Sequence, residues 1–266
     1  MKNTFWILSL FLIFSCINKK ENKDHQLNSP KPITETKEPI SAEENEEDDF
    51  KNVFEILLPS QYRDWENKNP ANALNNNWID LHLKNDDYYL SKTEYTMERG
   101  FSECSGDSTK IINSKNETLL LINKPNLKLG KVNSLKILHN KIWPEEKVTY
   151  NFNGDEYALR AEGTVLSSEK VHTDNGLETY QKVENYQLFI SYNNSPEVLF
   201  LEQASFNDTF VELLFAGDID GDGKLDFIFG ANRNYEEERV ILYLSSDAKN
   251  GEIIKKVSEI AIQFDC

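Results

Sequence analysis

Positive charge is what this 266-residue chain is short of, with 29 Lys and Arg against 45 Asp and Glu and a net charge of −16. A chain so acidic repels phosphate backbones, so nucleic acid is not an expected partner. Glycine and proline are also scarce, at 11 and 8 residues, which excludes a collagen-like or low-complexity chain. The four histidines, His25, His82, His139 and His172, are scattered and form no His-Glu-x-x-His pair, so a zincin is unsupported. Also absent are a Gly-x-Ser-x-Gly elbow, a phosphate-cradling loop and a dinucleotide fingerprint. No repeat recurs at a propeller or solenoid period. What is present is 39% hydrophobic and 11% aromatic residues, enough to build a core in one large or two small domains.

A long apolar run occurs once near the start, over the ten residues 5–14, preceded by Lys2 and followed by Ser15 and Cys16. Ten residues are too few for a helix to span a bilayer, so the run reads as the core of an export signal. Ile13, Phe14, Ser15 and Cys16 resemble a bacterial lipobox. That resemblance implies cleavage after Ser15 and a lipid on Cys16, and hence a membrane-anchored protein of the cell envelope, on the periplasmic or outer-surface face. Residues 17–49 carry five lysines against ten acids, with Pro30, Pro32 and Pro39 and few large apolar side chains. Such a segment cannot bury enough surface to offset its ordering entropy and is expected to be a disordered acidic tether. With Cys16 assigned to lipid, Cys104 and Cys266 remain, an even pair expected to form a disulfide in an oxidising envelope.

The expected domain is therefore 50–266. Apolar residues at 50, 53, 54, 57 and 58 have helical spacing and predict one short helix before Pro59. Beyond Trp78, short alternating runs predict strands at 78–83, 88–97, 118–122, 147–152, 157–163, 183–192, 197–203, 211–216, 225–229, 240–244 and 258–264. Val211, Leu213 and Phe215 fall on one side of their run, as do Tyr186, Leu188, Ile190 and Tyr192. Asn153-Gly154 is a type I′ turn signal, and Asn85-Asp86-Asp87, Asp174-Asn175-Gly176 and Asn193-Asn194-Ser195-Pro196 are further turn clusters. No long helical pattern alternates with the strands, so the expected class is mainly β, an antiparallel sandwich, barrel or meander with one short N-terminal helix.

One segment carries chemistry. From Asp218 to Asp226, carboxylates fall at positions 1, 3, 5 and 9, with Gly221 and Gly223 at 4 and 6. Packed into a tight turn they repel one another, and a hard divalent cation with six to eight oxygen ligands resolves the conflict. Calcium is the expected ion. Asp218, Asp220 and Asp222 would offer side-chain oxygens, Lys224 its carbonyl, and Asp226 a carboxylate directly or through water. An EF-hand begins with the same spacing, but Phe229 stands where its twelfth-position Glu is needed and both flanks alternate like strands. The segment resembles the calcium-binding hairpin loop of FG-GAP/VCBS repeats of integrin α-type propellers, in Asp218 to Asp226, the apolar Phe227 to Phe229, and Gly230-Ala231. Asn232 departs from the proline usual in that family. The resemblance implies metal binding over 215–231; because one copy is present, it does not imply a propeller.

Other signals are weak. Ser167-Ser168-Glu169-Lys170 matches Ser-x-x-Lys but sits between a strand and a turn rather than at a helix start. Glu103 and Asp107 could in principle cleave a sugar as paired acids, and Trp65, Trp78 and Trp143 could form either core or a carbohydrate platform. The expectation is a lipid-anchored envelope binding or structural protein, leaning away from catalysis, that holds a protein or glycan and is clipped by structural calcium. The alternatives are an envelope glycan hydrolase and an acidic inhibitor or immunity-type partner of a basic protein.

Overall fold

A computed structural model describes residues 50–64, 68–103, 105–173, 176–249 and 251–264. The export signal, Cys16 and the tether, together with Trp65, Cys104 and Cys266, lie outside the described residues, as does the expected disulfide. The strands of the first half are β1 (Ile56–Leu57), β2 (Gln61–Arg63), β3 (Ile79–Lys84), β4 (Asp87–Lys92), β5 (Tyr95–Phe101), β6 (Ser108–Ser114), β7 (Glu117–Ile122) and β8 (Gly130–Lys131). The second half supplies β9 (Lys147–Phe152), β10 (Asp155–Thr173), β11 (Gly176–Tyr192), β12 (Val198–Ser205), β13 (Glu212–Gly217), β14 (Asp226–Gly230), β15 (Glu237–Leu244) and β16 (Lys255–Gln263). They form four antiparallel sheets, ordered β1-β7-β3-β4-β8, β2-β6-β5, β9-β10-β11-β12 and β13-β14-β15-β16. Among the described residues none of these sheets closes into a barrel, and the fold is mainly β, as expected.

Turn chemistry sets much of this register. Asn153 and Gly154 both have positive φ, +50° and +94°, and join β9 to β10 where Phe152 pairs Asp155. Asn85 and Asp86, at +52° and +63°, do the same between β3 and β4. These are the left-handed pairs that two-residue hairpins require.

The sheet β13–β16 is central to the described domain because β14 and the second half of β15 are buried on both faces. Ile228, Val240, Leu242, Leu244 and Val257 pack into one core with Trp78, Leu81 and Leu120 of the first half. Phe227, Phe229, Ile241 and Tyr243 point the other way, into a second core with Tyr157, Tyr186, Leu188 and Ile190 of β10 and β11. Period-two alternation therefore feeds two cores, and the strand sequences read as nearly continuous apolar runs.

The structure corrects three details. The helix expected before Pro59 does not form: Ile56 and Leu57 pair Ile122 and Leu121 of β7, and Val53 is 55% exposed. Strand pairing that buries the consecutive Ile56, Leu57 and Leu58 overrides the helical spacing. Among the described residues the helical structure is a 3-10 turn, Pro70–Ala73, capped by the Asn69 side chain accepting from the Ala71 N–H. Second, Leu213 and Phe215 do not share a face. A bulge between them sends Leu213 to the second core and Phe215 to the first. Third, the span 88–97 is two strands, β4 and β5, which belong to different sheets.

Phe227 is fully buried in the second core, so Phe227→Ala should cost about 3–5 kcal/mol. Urea denaturation should show a lower midpoint, and an unchanged midpoint would contradict the doubly covered sheet.

Candidate metal centre

The acidic loop connects β13 to β14, which leave the central sheet with Gly217 opposite Asp226. Gly221 and Gly223 adopt φ of +83° and +87°, values a side chain rarely tolerates, and so let the chain fold back on itself within a few residues. Gly217 serves a different need, close approach. A Cβ there would lie 2.7 Å from the Asn133 carbonyl oxygen and 2.8 Å from the Ser134 Cα.

Within the loop the carboxylates gather backbone donors. Asp218 accepts from the N–H of Gly221 on Oδ1 at 2.7 Å and from that of Gly223 on Oδ2 at 3.0 Å. Asp222 accepts from the N–H of Lys224 at 2.9 Å. These bonds turn the side chains inward, and one carboxylate oxygen from each of Asp218, Asp220 and Asp222 lies within 4.8 Å of the others. Oδ1 of Asp220 is buried and has no hydrogen-bond partner. Burial, opposed by the Ser246 bond, raises the Asp220 pKa.

The fourth carboxylate behaves differently. Asp226 is fully buried; its Oδ2 accepts from the Ile219 N–H at 2.7 Å, and its Oδ1 from the N–H and hydroxyl of Ser245 at 2.8 and 3.1 Å. Burial first, and then the charge of Asp220, push its pKa well above the usual carboxylate range. It is not one of the three converging groups; its bonds pin the base of the loop to the start of the β15–β16 connection. Lys224, expected to offer its carbonyl, gives its N–H to Asp222, and its side chain is exposed.

Several partners of this centre come from distant sequence. The Ser245 hydroxyl shares its one proton between Asp222 at 2.9 Å and Asp226 at 3.1 Å, and Ser246 donates to Asp220. Asn153, at the β9–β10 turn, donates to the Gly223 carbonyl at 2.8 Å and accepts from Asn133 at 3.1 Å. The Tyr157 hydroxyl accepts from the Leu225 N–H at 3.3 Å. Nothing in the motif pointed to these groups; the polar Ser245-Ser246-Asp247 following an apolar strand was the available signal.

The weaker sequence signals gain no geometry. Trp78 and Trp143 are buried, so neither forms an open platform. Glu103 lies exposed and Asp107 half-buried between β5 and β6, and Ser167 to Lys170 lie within the extended β10. His82 is buried beside Asp80, with Nδ1 3.8 Å from its carboxylate. Comparison with family models, with curated proteins and with solved structures finds no match to this chain.

Since the Cβ of Gly217→Ala would meet the backbone at 133–134 and the fully buried Phe215 ring, neither of which can easily give way, this variant should shift its neighbours and cost about 1–3 kcal/mol. Thermal melting checks it, and a melting temperature equal to wild type would show that the close approach is not required.

Proposed function

We propose that the chain is a lipid-anchored envelope protein in which a tether presents a β domain that binds a protein or glycan, with calcium serving as a structural clip. The observation that carries the metal reading is the convergence of Asp218, Asp220 and Asp222, whose hard oxygen donors lie within 4.8 Å of one another. The orphaned Asp220 oxygen supports it, because a buried, unpaired carboxylate oxygen is costly unless a cation or donor meets it. The donor set suits calcium, which takes flexible, oxygen-rich coordination. The Asp218, Asp220 and Asp222 side chains would hold the ion; the ion would neutralise their mutual repulsion, and Ser245 and Ser246 would orient two of the carboxylates. The groups bonded to these carboxylates are hydroxyls and backbone amides, which fix ligands in place rather than supply a nucleophile or base, so a structural role is favoured over a catalytic one. The anchoring reading is supported by the 5–14 apolar run and Cys16 alone.

An ion bound only by the folded loop at 100 times its Kd adds about 2.7 kcal/mol of stability. Calorimetric titration should therefore detect calcium binding, with a higher Tm in calcium than in chelator, and Asp220→Ala should abolish both effects. Equal melting in the two buffers would sink the metal reading. For the anchor, cells fed labelled palmitate should yield a labelled protein in the membrane fraction, and Cys16→Ala should be unlabelled and soluble. Label retained in Cys16→Ala would place the lipid elsewhere.

A further inference from the structure

Beside the acidic loop, and formed with one of its residues, lies an open cavity of about 340 Å³. Tyr157 and Tyr192 line it, packed edge to face with ring centroids 5.1 Å apart. Both rings are fixed in advance: the Tyr157 hydroxyl accepts from the Leu225 N–H, and the Tyr192 hydroxyl is bonded to the Asp155 carboxylate. Val198, 40% exposed, and Ile253 add apolar surface, while Lys224 and Glu252 contribute one charge of each sign, both on exposed residues. The cavity joins the acidic loop, β10, the β11–β12 turn and the β15–β16 connection.

We propose that this cavity binds a neutral pyranose unit of a glycan; the inference rests on the binding reading above and names its ligand class. The chemistry of the lining selects that class in three ways. The part-exposed Tyr192 ring, braced edge to face against the fully buried Tyr157, and the aliphatic neighbours suit the flat C–H face of a sugar ring, and binding to them needs little ordering of the protein. Lys224 only donates and Glu252 only accepts, so a ligand that satisfies both must do both from neighbouring atoms, as adjacent sugar hydroxyls do. A purely apolar guest would take water from the Lys224 ammonium and from the Glu252 oxygen that the Lys249 N–H does not meet, at a cost. Because the two charges have opposite sign, the lining gives no advantage to a charged ligand over a neutral one. A volume near 340 Å³ lies within the range of small-ligand sites and has room for more than one ring.

Cellobiose, maltose and N,N′-diacetylchitobiose serve as probes, each titrated into the whole protein and followed by saturation-transfer NMR and calorimetry in calcium and in chelator. At least one should bind, with about a tenfold loss of affinity in Tyr192→Ala and a measurable loss in Lys224→Ala and Glu252→Ala. The last two alter only exposed side chains, so they keep the test open if Tyr192→Ala folds poorly. Binding by none of the three, or undiminished binding in all three variants, overturns the proposal. Calcium binding without sugar binding removes this site and leaves the metal reading standing. Sugar binding without calcium binding keeps the site and removes the metal.

Discussion

Three carboxylates confined within 4.8 Å of one another, in a turn braced from several sides, set the central constraint on this molecule. At that separation, with an effective dielectric near 20, each pair of full charges repels by roughly 3–4 kcal/mol. The loop supplies N–H donors to Asp218 and Asp222, and Ser245 and Ser246 supply O–H donors to Asp222 and one oxygen of Asp220, but these groups carry no formal charge. Lys124 lowers the Asp220 pKa only as a minor influence, and its ammonium is paired with Asp247 at 3.2 Å. Local hydrogen bonds therefore satisfy directional needs and leave the net charge in place. The proposed cation answers the part of the problem that amides and hydroxyls cannot.

The loop's position follows from the sheet that carries it. β14 and the second half of β15 feed apolar side chains to two cores, so along these stretches there is no face on which a charge could be solvated. Charge is carried by the flanking parts of the sheet, where Arg239 pairs Glu259, and by the strand ends, where Asp226, the first residue of β14, marks the boundary. It is fully buried yet meets three donors, which is how a carboxylate is retained at the rim of an apolar core. Its neighbours in sequence, Leu225 and Phe227, are buried as well. One residue thus serves as the hinge between an apolar interior and an acidic turn.

How much of this could be read from sequence depended on range. The Asp218 to Asp226 motif was legible because its spacing is local, and Asn153-Gly154 was legible because turn geometry is a property of two residues. The mainly β character followed from short alternating runs, and most of the expected strands recur with shifted ends. Long-range pairing was not legible. The extent of β10 and β11 was under-read because 164–172 and 176–182 are largely polar and exposed, yet pair with each other through Ser167↔Lys182 and Lys170↔Thr179. Ser108–Ser114, now β6, lacks a clear apolar alternation and is held by partners on both sides, β2 and β5. The bulge that separates Leu213 from Phe215 leaves no trace in composition. Ser245, Ser246 and Asn153 reach the acidic loop only because the sheets bring distant turns together.

The proposed clip would act on more than one hairpin. The loop's own strands belong to the central sheet; Asn153 and Tyr157 tie it to the β9–β10 hairpin, and Ser245 and Ser246 tie it to the β15–β16 connection. The Asp218 N–H also donates to the Asn133 carbonyl at 2.9 Å, which draws in the chain leaving β8. Fixing the three carboxylates therefore fixes the ends of two sheets relative to each other. The same residues that close the loop, Lys224 and Leu225, reach the tyrosine-lined cavity, through the Lys224 side chain and through the Leu225 bond to Tyr157. Loosening the loop frees the Tyr157 hydroxyl and shifts the cavity's charged member. A metal whose work is structural would by this route also set the shape of a binding surface, with no need to touch the ligand itself.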